Sequence, residues 1–443
     1  MTQSHAPESR TELPSESSPA FSDESSKKAA ELFPSHATRF LARQPILDAA
    51  RTVIGYELLF RSGWENFFRG GADDATLQML DNCVLMGVDN LTQRTLAFIN
   101  CTREALVERM VAILPPATTV LEVLESVEPD QEVRAACAEL RALGYRLALD
   151  DFRADSPHQE LLSEAAYLKV DFRLSDARER SRIVKLAKSS GAVLLAEKIE
   201  NMEEFEEAQR EGFQLFQGYF FCRPAILAER ELPANWANYM RLVGALAREP
   251  LNMAEVAPIV EAEASLCYRL LRLANSAAVS SRKAVTSVRS AMVLVGDARF
   301  RTLAAIALAA HMGRGQPEVL LQLALERARF CRNLAPLLGE DPNEQCLLGL
   351  LSLLSAMLRI PMARLVNSLP LREKAKCVLL GAEGRTAIPL QLITALEAGD
   401  WTPCAEVSSR FGVSESQISA IYLEALHWTK THVQQLGLEG REH

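Results

Sequence analysis

The chain contains no Cys-x-x-Cys pair, no apolar run of the roughly 18 uncharged residues that a membrane-spanning helix needs, and no excess of basic residues. Nine cysteines, Cys83, Cys101, Cys137, Cys222, Cys267, Cys331, Cys346, Cys377 and Cys404, are an odd count scattered mostly through apolar stretches. They read as buried free thiols and point away from both a disulfide framework and a zinc site. The net charge of −9, from 48 Lys and Arg against 57 Asp and Glu, gives no overall pull toward nucleic acid or anionic lipid. A small phosphate-bearing ligand stays open wherever a metal or a local arginine offsets the acids. The first residues lack the basic-then-apolar pattern of a signal peptide, so the reading is a soluble, cytoplasmic protein with no membrane contact.

What is present is a globular composition, 48% hydrophobic and 24% charged over 443 residues, enough for two ordinary domains. Residues 1–36 are rich in Ser, Pro, Glu and Lys and predict a disordered tail, because they cannot bury enough apolar surface to offset ordering entropy. From 39 to 224 short apolar runs alternate with amphipathic helical stretches. Strands are predicted at 39–47, 53–61, 95–101, 119–125, 146–152, 167–171, 193–199 and 215–221, and helices at 75–88, 131–143, 176–190 and 202–211. This is the β/α pattern of a parallel sheet, and eight strands favour a closed barrel. Only residues 48–52 separate the first two strands, too few for a crossover helix, so that pair is expected to be antiparallel. After Pro224 the period changes to 3.6, with helices predicted at 234–249, 253–277, 287–312, 318–338, 345–359, 372–380, 389–397 and 405–435. The fold class is thus α/β followed by all-α, with domains at 37–226 and 234–435.

The strands carry polar residues near their ends: Glu57, Asn100, Glu122, Asp150, Lys169, Glu197 and Gln217. Side chains from several strand ends converge at one mouth of a β/α barrel. Glu57, Asn100, Glu122 and Asp150 would give one cation four hard oxygen ligands, the set suited to Mg²⁺ or Mn²⁺ rather than zinc, and Asp151 could reach a second cation. Two such ions would serve in-line displacement at a phosphodiester, with Lys169 positioning a water and Glu197 accepting its proton. Alone, an acid at a strand end is more often a cap or a surface ion pair. The Asp150-Asp151 pair after an apolar strand is harder to explain that way, because adjacent carboxylates repel unless a cation is near.

At these residues the chain resembles the EAL domain family, over about 39–224. The resemblance is carried by Gln44-Pro45-Ile46, Glu57-Leu58-Leu59-Phe60-Arg61, Asn100, Leu121-Glu122-Val123-Leu124-Glu125, Asp150-Asp151-Phe152, Leu168-Lys169-Val170-Asp171, Ala196-Glu197-Lys198-Ile199-Glu200 and Gln217-Gly218-Tyr219. It implies a TIM-like (β/α)8 barrel with one antiparallel strand and metal-dependent hydrolysis of cyclic di-GMP to linear pGpG. It also implies that Arg61 contacts a ligand phosphate through bidentate donors, that Gln44 lies near a guanine, and that Gln217 helps order the site. Three positions depart from the family pattern. Leu58 stands for the signature alanine, residues 151–157 lack the glycine that follows the family's Asp-Asp-Phe, and Lys198 replaces a glycine after Glu197, where its cation could lower that base's pKa or take over a metal's electrostatic role.

The second half resembles the HDOD domain, through residues 270–277, 288–296 and 349–354. No His-Asp dipeptide occurs in the chain, so this half is expected to be a regulatory or interaction module for a protein partner or a homodimer, without hydrolytic chemistry. Residues 405–418 look like a helix-turn-helix, but the second helix carries no Lys or Arg from Val413 to Trp428, which argues for packing rather than DNA binding. Two readings follow. One is a cyclic di-GMP phosphodiesterase regulated through the HDOD domain; the other is a catalytically impaired cyclic di-GMP sensor or protein scaffold.

Overall fold

Asp48 to Thr52 turn the chain so tightly that the two strands they join must pair. Asp48 N–H donates to the Thr52 carbonyl at 3.0 Å, and Thr52 N–H donates to Asp48 Oδ1 at 2.8 Å. The protein is described by a computed structural model at residues 40–61, 88–222, 232–277 and 285–436. The expected tail at 1–36, and the helix at 75–88 save for Val88, fall outside these residues.

Eight strands close a barrel in chain order: β1 (Phe40–Asp48), β2 (Val53–Arg61), β3 (Leu96–Cys101), β4 (Thr119–Val123), β5 (Arg146–Leu149), β6 (Ala165–Asp171), β7 (Val193–Glu197) and β8 (Leu215–Gln217). β1 is antiparallel to both β2 and β8, and every other neighbouring pair is parallel. The crossover helices include α1 (Gln131–Ala142), α2 (Ala177–Ser190) and α3 (Met202–Glu211). Each begins at a side-chain cap, Asp130, Asp176 or Asn201, whose oxygen accepts from first-turn N–H groups that would otherwise be unsatisfied.

Alternation along the strands sorts the side chains into two sets. Leu47, Tyr56, Leu58, Ile99, Leu121 and Leu168 join the outer core, with Val133 and Leu140 of α1 and Ile183 of α2. Leu58, at the signature alanine's position, is therefore a wall residue facing the helices. Ile46, Phe98, Val120, Ala148, Tyr167, Leu195 and Leu215 form a separate cluster that plugs the barrel. On β2 the plug position is Gly55, where a Cβ would meet the Leu96 carbonyl oxygen at 2.7 Å.

Beyond 232 the described chain is helical: α4 (Trp236–Ala247), α5 (Met253–Glu261), α6 (Ala264–Ala277), α7 (Val288–Val295), α8 (Asp297–Met312), α9 (Glu318–Leu334), α10 (Pro342–Leu351), α11 (Ile388–Ala398), α12 (Thr402–Phe411) and α13 (Glu415–Leu436), with shorter turns between. Several expected helices are divided. The run at 287–312 breaks at Gly296 (φ 76°) and the run at 405–435 breaks at Gly412 (φ 67°), both in the left-handed region that glycine enters freely. The run at 253–277 breaks after Glu261, although its apolar period continues through the break. α13 opens with a capping box: Gln417 N–H donates to Ser414 Oγ at 3.3 Å while Ser414 N–H donates to Gln417 Oε1 at 2.8 Å. Its buried face, Ile418, Tyr422, Ala425 and Leu426, belongs to a core shared with Phe330 and Leu334 of α9. Arg329 and Asn333 also hold Glu424. This helix is a core element. Among the described residues no single helix is long and apolar enough to cross a membrane.

The helical core extends onto the barrel. Ala42 of β1 belongs to it and Leu59 of β2 packs against it. Below them Arg43 donates to Glu326 of α9 (2.5 Å) and to the Leu91 carbonyl (2.6 Å), and lies over the Tyr56 ring at 4.4 Å. Tyr56 OH donates to Gln322 Oε1 at 3.3 Å. Gly399, ending α11 at φ 70°, sits so near β2 that an added Cβ would come within 2.7 Å of Leu59 Cδ1. Gly399→Ala is expected to cost about 1–2 kcal/mol in urea denaturation, from the left-handed backbone and the displaced Leu59 methyl.

Candidate active site

The plug locates the site, because each residue of interest stands two positions further along its strand toward the mouth. Asn100 follows Phe98, Glu122 follows Val120, Asp150 follows Ala148, Lys169 follows Tyr167, Glu197 follows Leu195 and Gln217 follows Leu215. Glu57 follows Gly55 in the same way, and on reversed β1 Gln44 lies two before Ile46. A spacing of two keeps the direction inward and rises one layer. One residue from each strand, or from the position just after it for Asp150, thus forms a ring of eight above an apolar floor.

At its centre is Lys169, only 1% exposed in its side chain. Its Nζ lies 2.8 Å from Glu122 Oε1, 2.9 Å from Asp150 Oδ1, 3.0 Å from Glu197 Oε1 and 3.5 Å from Glu57 Oε2. Gln217 Nε2 donates to Glu57 Oε2 (2.6 Å) and Gln44 Oε1 (2.8 Å), and Asn100 Nδ2 donates to Glu57 Oε1 (3.2 Å). Burial alone would lower the pKa of Lys169, but the surrounding carboxylates outweigh it and hold the ammonium well above its usual range. Burial raises Glu122, and it pushes Glu197 up to about 8, with Asp150 and Glu57 adding to the rise and Lys169 opposing it.

Four carboxyl groups crowd around one ammonium in a buried place, and a divalent cation would displace the protons that burial holds on Glu122 and Glu197. Glu122 Oε2, Asn100 Oδ1 and Gln217 Oε1 are buried there without a hydrogen-bond donor among the described residues. Hard oxygen donors, four crowded carboxyls and unpartnered oxygens fit a divalent cation of the Mg²⁺ or Mn²⁺ class. The carboxylates are now gathered around Lys169 Nζ, and no three acidic, thiol or imidazole side chains converge at metal-ligand spacing among the described residues. A cation taking oxygens from Glu57, Glu122 and Asp150 would have to share them with that ammonium.

Asp151 stands apart from the ring. It turns out of β5 at φ 40°, and its Oδ1 is buried without a hydrogen bond. Lys198, just past β7, is also left-handed at φ 58°, a conformation costing a lysine on the order of 1 kcal/mol or more. Its Nζ lies 2.5 Å from Asp171 Oδ2 and 3.8 Å from Asp151 Oδ1. Asp171 had appeared only within a motif; its place two residues above Lys169 on the same inward face was the available signal. Arg61 closes β2, and its side chain lies outside the described residues.

The loop after Asp151 is fixed without glycine. Phe152 N–H donates to the Lys169 carbonyl at 2.8 Å, Ala154 N–H donates to Glu179 Oε1 at 2.7 Å, and both side chains are buried. A 3-10 turn, Pro157–Leu161, follows, and buried His158 bonds the Val127 carbonyl at 2.8 Å. The lost glycine freedom is replaced by these anchors, and Asp151 takes a positive φ that aspartate tolerates.

Residues 33–224 match the sequence model of the EAL domain, and residues 232–368 match that of the HDOD domain. A Bacillus subtilis protein called uncharacterized protein YuxH is 31% identical over 400 residues, 88% of this chain and 97% of its own length. Cyclic di-GMP phosphodiesterase CdgJ of Vibrio cholerae is 32% identical over 400 residues, 89% of this chain and 93% of its own. Among solved structures, a calcium and cyclic di-GMP complex of Klebsiella pneumoniae BlrP1 aligns at 25% identity over 43% of this chain and 58% of that one, with a TM-score of 0.36.

Proposed function

Since the chain belongs to the family that joins an EAL domain to an HDOD domain, we propose that it hydrolyses cyclic di-GMP to linear pGpG with a bound Mg²⁺ or Mn²⁺. The observation that supports this most is the ring of eight inward residues with four carboxylates against one ammonium. Glu57, Asn100, Glu122 and Asp150 would hold the cation, whose charge would stabilise the phosphodiester's developing negative charge and make a bound water more acidic.

The chain's own groups supply the rest. Lys169 Nζ, a donor already aimed at Glu197 Oε1, orients the attacking water, and Glu197 takes its proton. Gln217 fixes Glu57 and Gln44 through the two hydrogens of a single amide nitrogen. Gln44, half-buried at the ring's edge, offers its amide to a guanine edge, and Arg61 offers a bidentate fork to a phosphate. Water attack at phosphorus breaks the bond to one 3′ oxygen. The leaving oxygen takes a proton, and one ring phosphodiester becomes a 5′ phosphate.

The HDOD half is proposed to regulate this site through β1 and β2. Support comes from its contacts on both faces of the hairpin that carries Gln44 and Glu57: Ala42 and Leu59 at the mouth, Arg43 and Tyr56 on the outside. Chromatography of cyclic di-GMP incubated with protein and Mn²⁺ tests the proposal. Linear product from wild type and at least about a thousandfold less from Glu57→Ala is expected; ligand bound but unchanged would replace hydrolysis with sensing.

A further inference from the structure

Above the ring lies a second, smaller group of charges, which includes Asp151, the residue expected to reach a second cation. Two non-glycine residues just past β5 and β7, Asp151 at φ 40° and Lys198 at φ 58°, hold left-handed backbone. What the two turns bring together is a carboxylate and an ammonium. Lys198 Nζ stands 3.8 Å from Asp151 Oδ1, an oxygen that is buried and accepts no hydrogen bond. The same ammonium reaches Asp171 Oδ2 at 2.5 Å. The other Asp171 oxygen is already occupied, accepting from the N–H groups of Arg173 (2.9 Å) and Leu174 (3.0 Å). Asp171 is thereby held rigid, and it holds the lysine beside Asp151.

The charges divide between two lysines. Lys169 serves the lower group, Glu57, Glu122, Asp150 and Glu197, four carboxyls against one ammonium, which could take a divalent cation by releasing protons. Lys198 serves the upper pair, two carboxylates against one ammonium, and leaves a single surplus charge with a cation already in front of it. A second divalent ion beside Asp151 would meet that ammonium at close range, where like charges repel. We propose that Lys198 is a tethered cation standing in for a second divalent ion at Asp151, so that this barrel holds one divalent cation, within the lower ring, rather than two. The proposal rests on the metal-dependent reading of that ring.

Counting bound Mn²⁺ by equilibrium dialysis with electron spin resonance, on the full-length protein, tests it without measuring turnover. Wild type is expected to bind one Mn²⁺ per chain and Lys198→Arg, which keeps the charge, also one. Lys198→Gly, which removes the charge and suits the left-handed backbone, is expected to bind two. Glu57→Ala is expected to lose the single ion of the wild type. Two ions in wild type, or one in both wild type and Lys198→Gly, would overturn the tethered-cation proposal alone and leave the hydrolytic reading standing. No ion in wild type would overturn both.

Discussion

Lys169→Met is expected to cost the metal-free protein about 3–5 kcal/mol in urea denaturation and to lower turnover of cyclic di-GMP about 10²–10⁴-fold. Methionine keeps much of the lysine's length and packing but removes the one positive charge among Glu57, Glu122, Asp150 and Glu197. Glu122 is fully buried, so its carboxylate cannot recover the lost interaction from water. Added Mn²⁺ is expected to restore much of the stability, because a divalent cation supplies the missing charge to the same oxygens. It is not expected to restore turnover, since the donor that orients the water at Glu197 is gone. A stability loss below about 1 kcal/mol would mean that the carboxylates do not depend on this ammonium.

The second large effect is at the seam between the two halves. Arg43 and Glu326 have side chains 4% and 2% exposed and meet at 2.5 Å. Burial raises the pKa of Glu326, with Arg43 opposing the rise. Removing either partner leaves the other charge buried and unpaired, so Arg43→Met and Glu326→Met are each expected to destabilise by about 3–5 kcal/mol. The double variant is expected to cost much less than the sum, giving a coupling energy of roughly 1–3 kcal/mol in a double-mutant cycle. Since Gln44 is the next residue along β1, Arg43→Met is also expected to raise the KM for cyclic di-GMP more than it lowers kcat. Additive stability losses would show that the two side chains do not work as a pair.

The barrel was legible because its constraints are local. Alternation marks each strand, and four residues between β1 and β2 leave room only for a hairpin. Strand ends were read too long at 146–152, 193–199 and 215–221, because the chain leaves the ladder at Asp150, Lys198 and Gly218 to build the mouth. Those departures turn on backbone angles, which an apolar pattern does not encode. Helix breaks at Glu261 and Gly296 were missed for a related reason, since the apolar period runs through them. The ring residues could be found because each lies two positions beyond a plug residue. The partners Arg43 and Glu326, or Leu59 and Gly399, could not, because periodicity holds no information on pairs hundreds of residues apart.

In the proposed reaction, water attacks phosphorus within the Glu57, Asn100, Glu122 and Asp150 ring and opens cyclic di-GMP. The direct measurement is mass spectrometry of the nucleotide after incubation with the protein and Mn²⁺ in ¹⁸O-labelled water. Linear pGpG with a single ¹⁸O in its terminal 5′ phosphate is expected, dependent on the metal and absent with Glu57→Ala. Recovery of unlabelled, unopened cyclic di-GMP in the presence of metal would contradict it.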